Sequence, residues 1–289
     1  MRGQVTVKAS EEEAKYIFIF WNVTLSSPNM IKIHPIANGV ARLTLNSPEN
    51  RNALSGSMMQ ALTDALVQSS NEPSTRVIII AGEGPAFCAG HDLKEITTAR
   101  QAADKGLSFF ETLMDNCSKL MQTIVHLPIP VIAEIDGVAT AAGCQLVASC
   151  DLAYASEQSR FATPGVNIGL FCSTPMVALS RNVSKKHAME MLLTGDMISA
   201  ERACEIGLIN RVLSSDELSR TVQAQAEKIA SKSGHVLKTG KTAFYEQAQM
   251  NLSEAYEYTS AVMVQNMLDD DAREGIGAFL EKRKPDWKR

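Results

Sequence analysis

The chain has 289 residues, 45% of them hydrophobic and 21% charged, with a formal net charge of −4. That balance excludes a disordered or collagen-like chain and argues against the basic footprint of a nucleic-acid binder. No apolar run nears the roughly 20 residues of a membrane span, so neither a nucleic-acid nor a membrane partner is expected.

Residues 1–30 read as a flexible leader. Glu11-Glu12-Glu13 breaks any signal or transit pattern, and Tyr16 to Trp21 is too short for an anchor. Ile31 to Leu45 alternates around Asn38-Gly39, a hairpin signal. Ser55 is a good N-cap for a helix whose apolar face is Met58, Leu62, Ala65 and Leu66. Val77 to Ile80 is β-branched and uninterrupted, as in a strand buried on both faces.

A short Gly/Pro loop then leads to Ala86-Phe87-Cys88-Ala89-Gly90-His91-Asp92-Leu93-Lys94. A buried strand, a small-residue loop and a helix start aim backbone N–H groups into one place. Such a turn can hold an oxyanion or a phosphate, or be an ordinary βα connection. A helix from Lys105 to His126 ends at Pro128 and Pro130, and Val131 to Ile135 is the next strand. The small residues Ala139 to Cys144 open a second helix, to about Ser149. Asp151 to Ala155 and Ser159 to Ala162 read as extended. From Thr174 the pattern is helical to the end. The domains expected are therefore a leader over 1–30, a core with the ligand site over 31–174, and a helical region over 175–289. No internal repeat is visible. Cys88, Cys117, Cys144, Cys150, Cys172 and Cys204 have no metal-ligand spacing and read as reduced thiols, with no metal expected.

Asn52-Ala53-Leu54, the Ala86 to Glu95 motif and Gly137-(x)5-Gly143-Cys144 resemble the enoyl-CoA hydratase/isomerase (crotonase) superfamily. So do Leu193-Thr194-Gly195-Asp196 and the terminal Glu274 to Lys284 stretch. The resemblance implies an α/β fold: a ββα spiral core with a C-terminal helical region used in trimer contacts, often in a dimer of trimers. It implies an acyl-CoA thioester as ligand and no further cofactor. It implies fatty-acid and lipid metabolism and a mitochondrial location, with the cytoplasm as alternative. Backbone N–H groups of His91 and Ala142 would hold the thioester oxygen. Arg51, Ala53, Ala89, His91, Asp92, Leu93 and Ala142 would lie along the CoA, with Lys282 reaching a neighbouring subunit's nucleotide.

The family's hydratases use two glutamates, and dienoyl isomerases add an aspartate. The matching positions here are Gln145, Gly165 and Ser173. Gln145 can orient a water but cannot take a proton near neutral pH. His91 carries the side chain most often used for proton transfer, or projects toward CoA or solvent. Asp92 reads as a helix cap, and Cys144 and Cys172 as buried apolar residues. Two readings stand: a CoA-thioester enzyme working through its oxyanion hole, and a catalytically silent acyl-CoA binder. RNA binding, shown by one branch of the superfamily, fits this acidic chain poorly.

Overall fold

The computed structural model describes residues 30–287. The leader expected over 1–30 lies outside the described residues, Met30 apart.

Asn38 and Gly39 both take positive φ, 52° and 79°. That backbone suits a two-residue turn, and it folds β2 (Val40–Leu45) antiparallel onto β1 (Ile31–Ile33), Ile31 opposite Leu45. Ser55 caps α1 (Gly56–Asn71) by accepting the Met58 N–H, and Met58, Leu62, Ala65 and Leu66 are buried as the periodicity requires.

The chain then winds through three similar turns. Each lays one strand in a six-stranded sheet and the next in a four-stranded sheet. β3 (Val77–Gly82) is followed by β4 (Ala86–Cys88) and the helices α2 (Leu93–Ala99) and α3 (Leu107–His126). β5 (Val131–Ile135) is followed by β6 (Val138–Thr140) and α4 (Ala142–Ser149). β7 (Leu152–Ser156) is followed by β8 (Arg160–Ala162) and a 3-10 turn, Pro164–Ile168. Neighbouring strands β2, β3, β5 and β7 are parallel. Ile78 and Ile80 pack into the main core with α1, α3 and α4, whereas Val77 and Ile79 pack on the opposite face. Burial on both faces explains the unbroken β-branched run.

The C-terminal part continues as α5 (Pro175–Asn182), α6 (Lys185–Thr194), β9 (Ile198–Ser199), α7 (Ala200–Glu205) and β10 (Arg211–Leu213). It ends with α8 (Ser215–Ala230), α9 (Gly234–Gln247), α10 (Leu252–Leu268) and α11 (Asp270–Leu280). Helix α8 covers the Val77/Ile79 face with Leu218, Val222 and Ala226.

Two expectations need correction. The region from Thr174 is not wholly helical: β9 pairs with β8 and β10 with β7, so residues beyond 174 complete both sheets of the core. Segments of two and three residues are too short to display alternation; their partners make them strands. The small-residue run from Ala139 does not open as helix either. Val138–Thr140 is a strand between β4 and β8, and the helix begins at Ala142.

Candidate active site

The site is built where β3, β5 and β7 end and their chains cross to the small sheet. Asn52 anchors the first wall. Its φ is 51°, and its carboxamide donates to the carbonyls of Glu83 (2.9 Å) and Ala86 (2.8 Å) while accepting from the Ser47 N–H (2.8 Å). Asn tolerates the left-handed region better than most residues, and here its side chain joins the 47–55 loop to the loop after β3 and to the start of the motif. Backbone bonds complete the join: Ala89 N–H to Arg51 O at 3.1 Å and Leu54 N–H to Gly90 O at 2.7 Å. Thr140 Oγ1 donates to Ala89 O at 3.1 Å and ties β6 to the same turn.

The two donor turns therefore meet. A Cβ placed on Gly90, whose φ is 91°, would lie 3.3 Å from the Ala142 nitrogen and 2.9 Å from Ala141 Cβ. Only glycine permits that approach. Gly143 is tighter still, since a Cβ there would sit 2.1 Å from Cys88 O. Ala142 opens α4, so its N–H is one of the donors a helix leaves unpaired in its first turn. Among the described loop and turn bonds no carbonyl accepts the N–H of His91 or of Ala142. Ala141 precedes this donor with φ 50° and ψ −117°, a conformation alanine rarely adopts. Such strain costs about 1–3 kcal/mol and persists where the surroundings impose it. The Ala141 N–H to Ala162 O bond, 2.9 Å, is part of that constraint. Sequence reasoning missed Ala141; the signal was a non-glycine residue at the turn before the helix.

His91 does not project into solvent. Its Nδ1 lies 3.3 Å from the Leu54 carbonyl, and its Nε2 is buried without a partner among the described residues. Burial lowers its pKa from the usual 6.5, partly opposed by the Leu54 bond. Asp92 caps α2 through the Lys94 N–H at 2.7 Å, as expected. Ala53 and Ala89 are half-buried in the wall, whereas the Arg51 and Leu93 side chains are exposed beside it. Lys282 is not brought to this site within one chain. Helix α11 and the segment after it dock at the opposite end of the sheet, through Ser233 to Asp271 and Trp287 Nε1 to Ser231 O, next to Gly39 and Arg76.

Gln145 is 5% exposed, and its carboxamide oxygen faces the Cys117 thiol on α3 at 3.7 Å. Gly165 is crowded: a Cβ there would lie 2.9 Å from Leu170 O and 3.0 Å from Cys172 Sγ. The Gly165 N–H points at Cys172 Sγ, 3.4 Å away. Ser173 is exposed and donates to Phe171 O. Burial raises the thiol pKa values, to about 12 at Cys88 and Cys144 and about 11 at Cys117, so these groups stay neutral. A groove of about 590 Å³ is lined by Glu111, Thr112, Met114, Asp115 and Ser118 of α3 and by Thr174. These acids sit on the outer face of α3 and carried no motif.

The Enoyl-CoA hydratase/isomerase family model matches residues 35–289. The chain belongs to the enoyl-CoA hydratase/isomerase family. This family member is 49% identical to Enoyl-CoA hydratase domain-containing protein 3, mitochondrial, of Xenopus laevis, over 86% of this chain and 83% of that one. Identity to the human protein of the same name is 48%, over 86% and 81%. Among solved structures, an enoyl-CoA hydratase of Mycobacterium smegmatis superposes with TM-score 0.85 at 46% identity, covering 90% of this chain and 99% of that one. Human enoyl Coenzyme A hydratase domain-containing protein 3 gives 0.84 at 46% identity, covering 89% and 100%. The fold is thus crotonase-like.

Proposed function

We propose that this protein binds acyl-CoA thioesters and polarises the thioester carbonyl between the N–H groups of His91 and Ala142. The observation that carries this reading is the meeting of the two turns at Gly90 and Ala142. Two donors aimed at one oxygen stabilise a developing oxyanion, and removing one such donor costs about 2.7–4 kcal/mol of transition-state stabilisation. Both donors are backbone groups and do not depend on side-chain identity. Arg51, Ala53, Ala89, Asp92 and Leu93 are assigned to the CoA side, and Lys282 to a neighbouring subunit's nucleotide. Fatty-acid or lipid metabolism in mitochondria is the setting, by likeness to relatives named mitochondrial.

Hydration of an enoyl thioester also needs a general base and a general acid. Gln145 and Ser173 supply neither, and Gly165 leaves no room for a side chain. Each missing group costs about 10²–10⁴-fold, so hydration of crotonyl-CoA is expected to be slow. A trimer, or a dimer of trimers, would cover the exposed apolar side chains of α10 and α11, among them Leu252, Leu268 and Phe279.

Thermal melts with acetyl-, butyryl- and octanoyl-CoA test the binding. A ligand at a hundredfold excess over Kd adds about 2.7 kcal/mol. No shift with any of the three at millimolar concentration would reject the reading.

A further inference from the structure

Strand β1 is the outermost strand of the six-stranded sheet and pairs with β2 alone. Met30 O accepts the Asn46 N–H, and the His34 N–H donates to Arg42 O. Bonding to one partner alternates along an antiparallel strand, so the N–H and C=O of Ile31 and Ile33 point away from β2. No strand among the described residues takes them. An open edge of this kind is a template for a further strand. Beside it lies a groove of about 330 Å³, lined by Ile33, Pro35 and Ile36 and by Gln68, Ser69 and Glu72 of α1. Ile33 is 50% exposed, whereas Ile31, two residues earlier on the same face, is buried in the core. Lys32, on the other face, is tied to Glu83 at 3.3 Å. The apolar face of the edge is thus left open where the groove lies.

We propose that Tyr16-Ile17-Phe18-Ile19-Phe20-Trp21 of this same chain docks on that edge, antiparallel to β1, and fills the groove. The chain itself selects this occupant. The residues before Met30 reach the described structure at β1, beside the groove. Among them, Tyr16 to Trp21 is the one uninterrupted apolar run. Its residues are aromatic or β-branched, the types that suit a pleated, half-buried surface. Every position is apolar, so the groove meets an apolar face in either register. Asn22 to Asn29 lie between the run and Met30, and Ser26-Ser27-Pro28-Asn29 is turn chemistry. That connection spans at most about 26–29 Å, whereas the edge from Ile31 to Ile36 is at most about 17 Å long. The tether therefore reaches, and it holds the segment at a high effective concentration that no separate partner has.

The full chain provides the test by two readouts. In Trp287→Phe the sole remaining tryptophan is Trp21. Its emission is expected to lie to the blue of free tryptophan and to resist quenching by acrylamide. In the wild-type chain, hydrogen exchange at the Ile31 and Ile33 amides is expected to be at least about tenfold slower than in a chain begun at Met30. Should the shortened chain fail to fold, the full chain carrying Phe18→Asp and Phe20→Asp serves as the reference instead. Ile33→Asp, which places a charge in the groove, should return Trp21 to the emission and quenching of free tryptophan. Free-tryptophan behaviour in the full chain without that substitution would overturn the proposal. So would equal exchange at Ile31 and Ile33 with and without the apolar segment. Protection that fades on dilution would also overturn it and assign the edge to a second copy of the chain.

Discussion

Just before β7, Asp151 and Lys241 lie half-buried side by side with their side-chain polar atoms paired. Lys241 Nζ donates to Asp151 Oδ2 (2.7 Å), Ile124 O (2.9 Å) and Ile129 O (3.0 Å). Asp151 also accepts from Val131 N–H (2.7 Å) and Tyr245 OH (2.9 Å). Where the parallel strands end, His91 Nε2 and Thr163 Oγ1 are buried with no partner among the described residues, and Ala141 is strained. The ion pair joins α9 to α3 and the sheet. Thr75 Oγ1, at the same end of the strands, is buried without a partner among the described residues. The contrast is therefore between a satisfied ion pair and an unpaired imidazole nitrogen beside the donor turns, not between whole ends of the core.

The largest effect is expected at the ion pair. Lys241→Met leaves the half-buried Asp151 as an uncompensated charge; breaking a fully buried pair costs about 3–5 kcal/mol, which is the upper bound here. Chemical denaturation should show that loss, while acyl-CoA affinity of the folded fraction stays unchanged because the two ends are separate. A loss below about 1 kcal/mol would erase the contrast.

A middling effect is expected at Gly165. Both Gly165→Ala and Gly165→Glu push a Cβ against Leu170 O, and such overpacking costs about 1–3 kcal/mol. Adding Gln145→Glu to Gly165→Glu should therefore raise crotonyl-CoA hydration, followed by loss of enoyl absorbance, no further than Gln145→Glu does alone. A double variant that is stable and faster would show that the 170–172 segment yields. The obstacle is crowding from a neighbouring loop, which residue types in sequence do not display.

Local chemistry was legible. Asn38-Gly39, Ser55 and Asp92 each act through bonds spanning at most three residues, so their neighbours in sequence announce them. The spiral core was legible through its motifs, and those motifs are the residues that join the two donor turns. The three ββα windings leave no sequence period, because the connections after β4, β6 and β8 differ in length and content. Strands β6, β9 and β10 were hidden for the same reason: pairing partners far along the chain define them. Lys241 meets Asp151 across 90 positions, and nothing near either residue points to the other. The buried lone pair of His91 is likewise a product of packing.

A smaller effect follows from pH. The folded-state pKa of His91 lies below the unfolded value of 6.5, so below about pH 6.5 the unfolded chain binds the extra proton. Stability is then complete above that pH and declines as pH falls toward the folded value. Unfolding followed between pH 7 and 5 should show a shallower decline for His91→Asn than for wild type. Identical slopes would mean that this imidazole reaches water in the folded protein.

The smallest effect is expected at Ala141, and it bears most directly on the donor turns. Relief of its φ 50°, ψ −117° conformation by glycine recovers about 1–3 kcal/mol, against about 0.4–1 kcal/mol of added unfolded-state entropy. Ala141→Gly should therefore stabilise the fold by about 1 kcal/mol, a rise of about 2 °C in Tm for a chain of this size. The Ala142 N–H stays in place, so acyl-CoA affinity should remain within threefold. A more stable variant that binds more weakly would show that the alanine methyl, and the strain it causes, helps to aim the donor. A less stable variant would show that the surroundings hold this backbone without strain, and the contrast would rest on the unpaired imidazole nitrogen alone.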